Sequence, residues 1–162
     1  MRTFIKTKHA QPQRGQSLVE LALTLTLILT LLAGAVDLGS AFFSYVAIRD
    51  AAQEGALYGS VSPYYDSNSN KKYDAGEPLN IGAIKSRVQS ASSTPVDMYG
   101  PKVQIEVTTT DPTKPCSGSD HWVKVKVTYE YTLIMPLIGA IIGPTITLPA
   151  SATDTILTPL CP

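Results

Sequence analysis

The chain has 162 residues, enough for one modest domain together with a membrane anchor. Its formal net charge is zero, but the first 15 residues hold four basic residues and no acid, whereas the remainder has nine basic and thirteen acidic residues. A mildly acidic body without a basic stripe gives no reason to expect nucleic-acid binding.

An apolar run from Leu18 to Val36 follows the basic start, and Glu20 is its only charged residue. The run has about the 20 residues that a helix needs to cross the hydrocarbon core of a membrane. Basic residues before the run and none close after it predict a cytoplasmic N-terminus and an extracytoplasmic remainder. We therefore expect a single-pass protein of the cell membrane.

The helical pattern continues beyond the run to about residue 60, because this stretch is rich in alanine and has no proline. A secretory signal peptide has a short apolar core followed by its cleavage site, so this longer core is expected to be retained. The processing signal lies before it. Gly15, then four residues, then Glu20 at the start of an apolar helix is the pattern of prepilin-peptidase substrates. Cleavage after Gly15 would make Gln16 the first residue of the mature chain.

Glu20 is the unusual residue of this segment, since a charge inside an apolar span costs ~2.5–3.5 kcal/mol at mid-span. One interpretation is an uncleaved signal anchor with a stray acid near its cytoplasmic end. The other is a pilin, in which the Glu20 carboxylate is neutralised by the free amine of Gln16 on a neighbouring subunit. That pairing would set the axial register of packed helices.

These residues resemble a known family. The motifs are Gly-Gln-Ser-Leu-Val-Glu at 15–20, Val-Asp-x-Gly at 36–39 and Ala-Ala-x-Glu-Gly-Ala-x-Tyr-Gly at 51–59. Together they are similar to the TadE-like domain of pseudopilins from tight-adherence (Flp-type) pilus systems. The resemblance implies a cleavable leader over 1–15, a transmembrane and stalk helix over 16–60, and a role in a pilus or secretion apparatus.

Small residues recur every four positions in the second half of this helix, at Ala47, Ala51, Gly55 and Gly59. They form one smooth stripe on which another backbone can approach closely. The partner could be another pilin helix or the protein's own sheet, and the sequence leaves both open. Asp37, directly after the apolar run, marks the exit from the membrane.

Residues 61–78 break the helix and contain a twelve-residue pattern of the EF-hand type, which supplies six to eight oxygens to calcium. The predicted ligands are Asp66, Asn68, Asn70, Lys72 through its carbonyl, Asp74 and Glu77. Lys71 replaces the glycine that the sharp turn prefers, and two lysines oppose three carboxylates. Binding should therefore be weak, on the order of sub-millimolar to millimolar. The alternative is a polar turn.

Residues 79–162 are expected to form an extracytoplasmic α+β domain. Asn80 is a plausible N-cap for a short amphipathic helix over 80–92. Alternating apolar residues predict strands over 103–107 and 122–131, and a third within 146–157, where Pro149 indicates an edge or a bulge. The predicted fold class is α+β, with a long pilin-like N-terminal transmembrane helix packed on an antiparallel sheet of about three to four strands.

The stretch LIMPLIGAIIGPTITL over 133–148 is apolar but too short and interrupted to span a membrane. It could be a buried connection between strands or a loop that touches membrane or a partner. Cys116 and Cys161 fall in the exported part, where a disulfide can persist. A bridge between them would close a loop of about 45 residues and stabilise the fold by ~4 kcal/mol.

No motif of catalytic chemistry is present in the sequence, so we expect no enzyme. The predicted function is that of a minor pilin or pseudopilin of a Tad-type pilus. Its partners would be a prepilin peptidase, other pilin subunits and the membrane, with an extracellular pilus as a further location. The alternatives are a major filament subunit or a membrane-tethered, calcium-binding surface module.

Overall fold

The computed structural model describes residues 14–70, 72–118 and 120–159. In chain order the elements are α1 (Arg14–Val61), α2 (Ile81–Ala91), β1 (Val103–Thr109), β2 (Trp122–Thr132), α3 (Pro136–Ile142) and β3 (Thr145–Thr155). The chain divides between Val36 and Asp37 into two compact units.

Helix α1 is continuous over 48 residues, as its composition predicts. It ends at Val61 because Pro63 follows closely, and a proline disfavours helical geometry in the residue before it. Its large apolar side chains between Leu18 and Val36 are exposed. Its second half instead buries Ile48 and a set of alanines in the core of the second unit, so the helix changes its environment at Asp37.

The described residues form one sheet of three antiparallel strands in the order β1-β2-β3. In the central strand, Val123, Val125 and Val127 are completely buried while Lys126 is exposed, which confirms the predicted alternation. Pro149 lies opposite Thr128 on the edge strand β3, which confirms the predicted edge position.

Helix α2 contributes to the core that is formed by the sheet and the second half of α1. Asn80 caps it: its side-chain oxygen accepts a hydrogen bond from the N–H of Ala83 at 3.1 Å, as predicted. Ile84 and Val88 are buried one turn apart and join the valines of β2 and the alanines of α1 in a single cluster. The predicted α+β fold, a long helix packed on a small antiparallel sheet, is thereby confirmed.

Of the two alternatives that the sequence left open for 133–148, the structure does not show a buried connection over the whole stretch. Residues 145–148 belong to β3, and the segment before them contains the short helix α3. Ile134, Ile141 and Ile142 have 67%, 78% and 60% of their surface exposed. Leu148, in β3, packs against the core, whereas these three isoleucines are not part of it.

Candidate functional site

The predicted assembly segment is the N-terminal half of α1. Gly15, Gln16 and Glu20 lie in the helix and are exposed; residues 1–13, most of the predicted leader, lie outside the described residues. Within the described ranges no hydrogen bond or ion pair engages the Glu20 carboxylate, although its main-chain carbonyl accepts from the Thr24 hydroxyl at 2.8 Å. The carboxylate is therefore available to a group on another molecule.

Threonines in the same segment satisfy their own polar groups. The hydroxyls of Thr24, Thr26 and Thr30 each donate to the carbonyl four residues earlier, at 2.8 Å in all three cases. Such internal bonds suit a hydrocarbon environment, which offers no water as a partner. By length and composition, α1 is a candidate membrane span, with a mean hydropathy of 2.2 in its most apolar window.

The small-residue stripe is covered by the protein's own domain. A Cβ placed on Gly55 would lie 2.3 Å from Cγ2 of Val88, and one on Gly59 would lie 3.1 Å from side-chain carbons of Ile84 and Val123. The glycines therefore let α2 and β2 approach the helix backbone. Of the two partners that the sequence left open, the structure places the protein's own sheet and α2 on this stripe.

Asp37 is a buried acid whose partners the sequence did not reveal. Its side chain is only 3% exposed. One carboxylate oxygen accepts the N–H of Ile134 at 2.8 Å and the other accepts the N–H of Met135 at 2.7 Å. The Tyr131 hydroxyl lies 3.3 Å from the first oxygen. Asp37, the first residue after the apolar run of α1, is thus hydrogen-bonded to the end of β2 and to the residues that follow it.

In the predicted calcium loop, three side chains meet at one point. The amide nitrogens of Asn68 and Asn70 donate to the same oxygen of Asp74, at 2.6 and 2.7 Å. The Asn70 N–H also lies 3.2 Å from a carboxylate oxygen of Asp66. The amide oxygens of Asn68 and Asn70 accept from the N–H groups of Asn70 and Lys72, at 3.0 and 2.7 Å. A cation at this point would therefore require both amides to turn.

Glu77 occupies a different position from these exposed residues. It is 4% exposed, and its two oxygens accept hydrogen bonds from the N–H groups of Ser67 and Asp74, at 2.8 and 3.1 Å. Its present role is to hold the two ends of the loop together. Among the described residues no three His, Cys, Asp or Glu side chains are grouped as a metal site, so binding here would need amide and carbonyl oxygens as well. Calcium binding stays a prediction.

Tyr73 lies inside this loop and packs its ring against Tyr64, with ring centroids 5.6 Å apart. Burial, and then the negative charges of Asp111 and Glu77, raise the pKa of the Tyr73 phenol above its ordinary value. Asp111 itself accepts two hydrogen bonds from Thr113, which hold the pKa of that carboxyl below its usual range. The loop region thus combines fixed negative charge with a neutral phenol.

We expect Asp74→Ala to abolish calcium binding, because Asp74 is the group on which both asparagine amides converge. Isothermal titration of the full chain in detergent should give a dissociation constant on the order of 0.1–1 mM for the unchanged protein. Asp50→Ala, an exposed acid on α1, is the matched control and should bind as the unchanged chain does. Equal binding heats for both variants would rule out this loop as the site.

Cys116 is 1% exposed and takes part in a disulfide bond. Cys161 lies outside the described residues, so the predicted pairing of the two cysteines stays a prediction. The residues next to the two cysteines favour that pairing, because the N–H of Ser117 donates to the carbonyl of Pro159 at 2.6 Å. The C-terminal stretch is thereby held beside the loop that carries Cys116.

Helix α1 is apolar and exposed in its first half and packs on a small antiparallel sheet in its second half. The model of the family described as TadE-like protein matches residues 15–57, which confirms the resemblance carried by the motifs. No curated protein and no solved structure matches the chain.

Proposed function

We propose that this chain is a minor pilin or pseudopilin of a Tad-type pilus or secretion apparatus. The observation that carries this proposal is the combination of the TadE-like match over 15–57 with an exposed, unengaged Glu20 five residues after Gly15. In this role a prepilin peptidase removes residues 1–15, and the mature chain begins at Gln16. The protein acts by helix packing rather than by catalysis.

Two halves of α1 then have separate tasks. The half from Asp37 onward is occupied by the protein's own core, because Gly55 and Gly59 are covered by α2 and β2. The half before it keeps its apolar side chains exposed. Contacts with other pilin subunits are therefore made by residues 16–36, in the membrane before assembly and between subunits afterwards. Glu20 of one chain pairs with the Gln16 amine of the next.

In the cell membrane this protein has its N-terminus in the cytoplasm and its α+β domain on the opposite side. A major filament subunit remains the second candidate function within the same pathway. A membrane-tethered surface module, with calcium stabilising the loop over 66–77, is a candidate of a different class. Only the two pilin functions require cleavage after Gly15.

Gly15→Ala should therefore retain the leader, whereas the unchanged protein should lose residues 1–15. The physical reason is that a peptidase which cleaves after glycine must accommodate a residue without a side chain beside the scissile bond. Intact-mass measurement of protein extracted from the native membrane separates the two products.

Ser17→Ala, two residues further on, is the matched control and should be cleaved normally. A full-length mass for the unchanged protein would reject the pilin pathway and favour the tethered module. Cleavage of the Gly15→Ala variant at the same bond would show that Gly15 does not direct the processing.

A further inference from the structure

The connection between β2 and β3 is apolar throughout and stands outside the core. Residues 133–144 contain no charged side chain, no hydroxyl and no side-chain amide. Surface connections ordinarily carry polar residues, yet Ile134, Ile141 and Ile142 present most of their surface to the outside. An exposed apolar segment of this kind indicates a surface that is covered in the working protein.

Main-chain hydrogen bonds join the two ends of this connection and attach its first residues to α1. The Leu133 N–H donates to the carbonyl of Pro144 at 3.0 Å, which joins its two ends. The next two N–H groups, of Ile134 and Met135, bind the carboxylate of Asp37. The apolar connection is therefore attached to the first residue after the apolar run of α1.

We infer that residues 134–142 insert into the lipid surface beside the point where α1 leaves the membrane. Asp37 follows Val36, the last residue of the run that would span the hydrocarbon, and Ile134 is held 2.8 Å from the Asp37 carboxylate. The headgroup region is about 5–10 Å deep on each side of a bilayer. A connection attached at that depth can place its exposed isoleucines in the headgroup region.

Two further features fit a lipid surface. Lys102 is exposed at the same end of the sheet, where its ammonium donates to the Thr132 hydroxyl at 2.8 Å, one residue before the connection. A cation beside an apolar segment suits anionic headgroups. Phe42 and Phe43, exposed by 60% and 66%, lie about 8–9 Å further along α1 than Asp37, at the depth of an interfacial aromatic belt.

The test places a tryptophan on the connection in the full chain. Ile141→Trp protein is reconstituted at one copy per nanodisc, in phosphatidylcholine with phosphatidylglycerol, some of it brominated in the upper part of the acyl chains. The matched control is Leu157→Trp, since Leu157 is likewise exposed, at 60% against 78% for Ile141. Its N–H binds the Ser60 carbonyl, 23 residues or about 35 Å beyond Asp37 along α1. Native Trp122 is present in both variants, and the unchanged protein gives its contribution.

The emission added by Ile141→Trp should shift to the blue and be quenched by the brominated lipid, with most of its intensity lost. The emission added by Leu157→Trp should stay unquenched, and Ile142→Trp should behave like Ile141→Trp. Equal quenching at 141 and 157 would overturn the inference. So would a blue shift at 141 that appears only when two copies share a disc, because a second copy would then be the partner.

The experiment needs only the anchored chain and no peptidase or pilus. Failure of leader cleavage would therefore leave the lipid contact standing, and absence of quenching would leave the pilin function standing.

Discussion

Replacing Gly55 with leucine should prevent α1 from packing on its sheet, and the variant should be recovered unfolded or degraded. Even a single added carbon meets an occupied position, 2.3 Å from Cγ2 of Val88 and 3.4 Å from Cγ1 of Val125. Both valines are completely buried, and their branched side chains are stiff. Excess methylenes in a packed core typically cost ~1–3 kcal/mol, and leucine adds four carbons to a domain whose whole stability is on the order of 5–15 kcal/mol.

The smaller change Gly55→Ala gives a measurable version of the same effect. We expect it to lower the free energy of unfolding by ~1–3 kcal/mol, although alanine is the better helix former by about 1 kcal/mol. Urea unfolding of the full chain in detergent, followed by Trp122 fluorescence, reports the difference.

Two variants provide controls for this prediction. Gly39→Ala lies on the same helix with no atom within 4 Å of the added carbon, so it should be neutral or slightly stabilising. Val88→Ala combined with Gly55→Ala removes the atom that the new Cβ would strike and should recover part of the loss. Equal stability of Gly39→Ala and Gly55→Ala would contradict the close packing at this position.

The stripe shows how far sequence reasoning reaches. A period of four identifies one smooth helix face from local spacing alone, and the structure places all four small residues toward the core. The identity of the covering residues is not local, because Val88 and Val125 lie 33 and 70 positions after Gly55. The sequence therefore predicted a close approach but left its partner open.

The contact between Asp37 and the connection over 133–144 could not be predicted from the sequence, because it too is non-local. An acid after an apolar run looks like a boundary marker, since water can solvate it there. Its partners are main-chain N–H groups nearly a hundred residues away, and main-chain donors leave no mark on composition. The same contact attaches the apolar connection to α1, and the sequence could not choose between a buried connection and an exposed loop.

The elements with strong local periodicity were predicted well. Alternation in β2, the Asn80 cap of α2 and the edge position of Pro149 all follow from side-chain rules that act over a few residues. The calcium loop was predicted only in part. The sequence identified which residues converge, and the structure brings Asn68, Asn70 and Asp74 together, but it uses Glu77 to close the loop.

Glu20→Ala should block assembly while leaving cleavage after Gly15 intact. The carboxylate has no partner in the described part of its own chain, so it stays uncompensated until another molecule supplies one. A charge in an apolar span is unfavourable by ~2.5–3.5 kcal/mol at its centre, and pairing with the Gln16 amine of a neighbour removes that cost only in the assembled state. Alanine removes the charge and with it the preference for one axial register.

Two measurements on the same membranes test this prediction. Intact mass should show normal loss of residues 1–15 in Glu20→Ala, because the residues beside the scissile bond are unchanged. Recovery of the protein in the sheared pilus fraction, or its crosslinking to other pilin subunits, should fall to background. Leu21→Ala, an exposed neighbour without charge, is the matched control and should assemble. Glu20→Asp keeps the charge on a shorter side chain and should assemble partially. Full assembly of Glu20→Ala would show that hydrophobic packing of residues 16–36 alone sets the register, and the acid would then need another explanation.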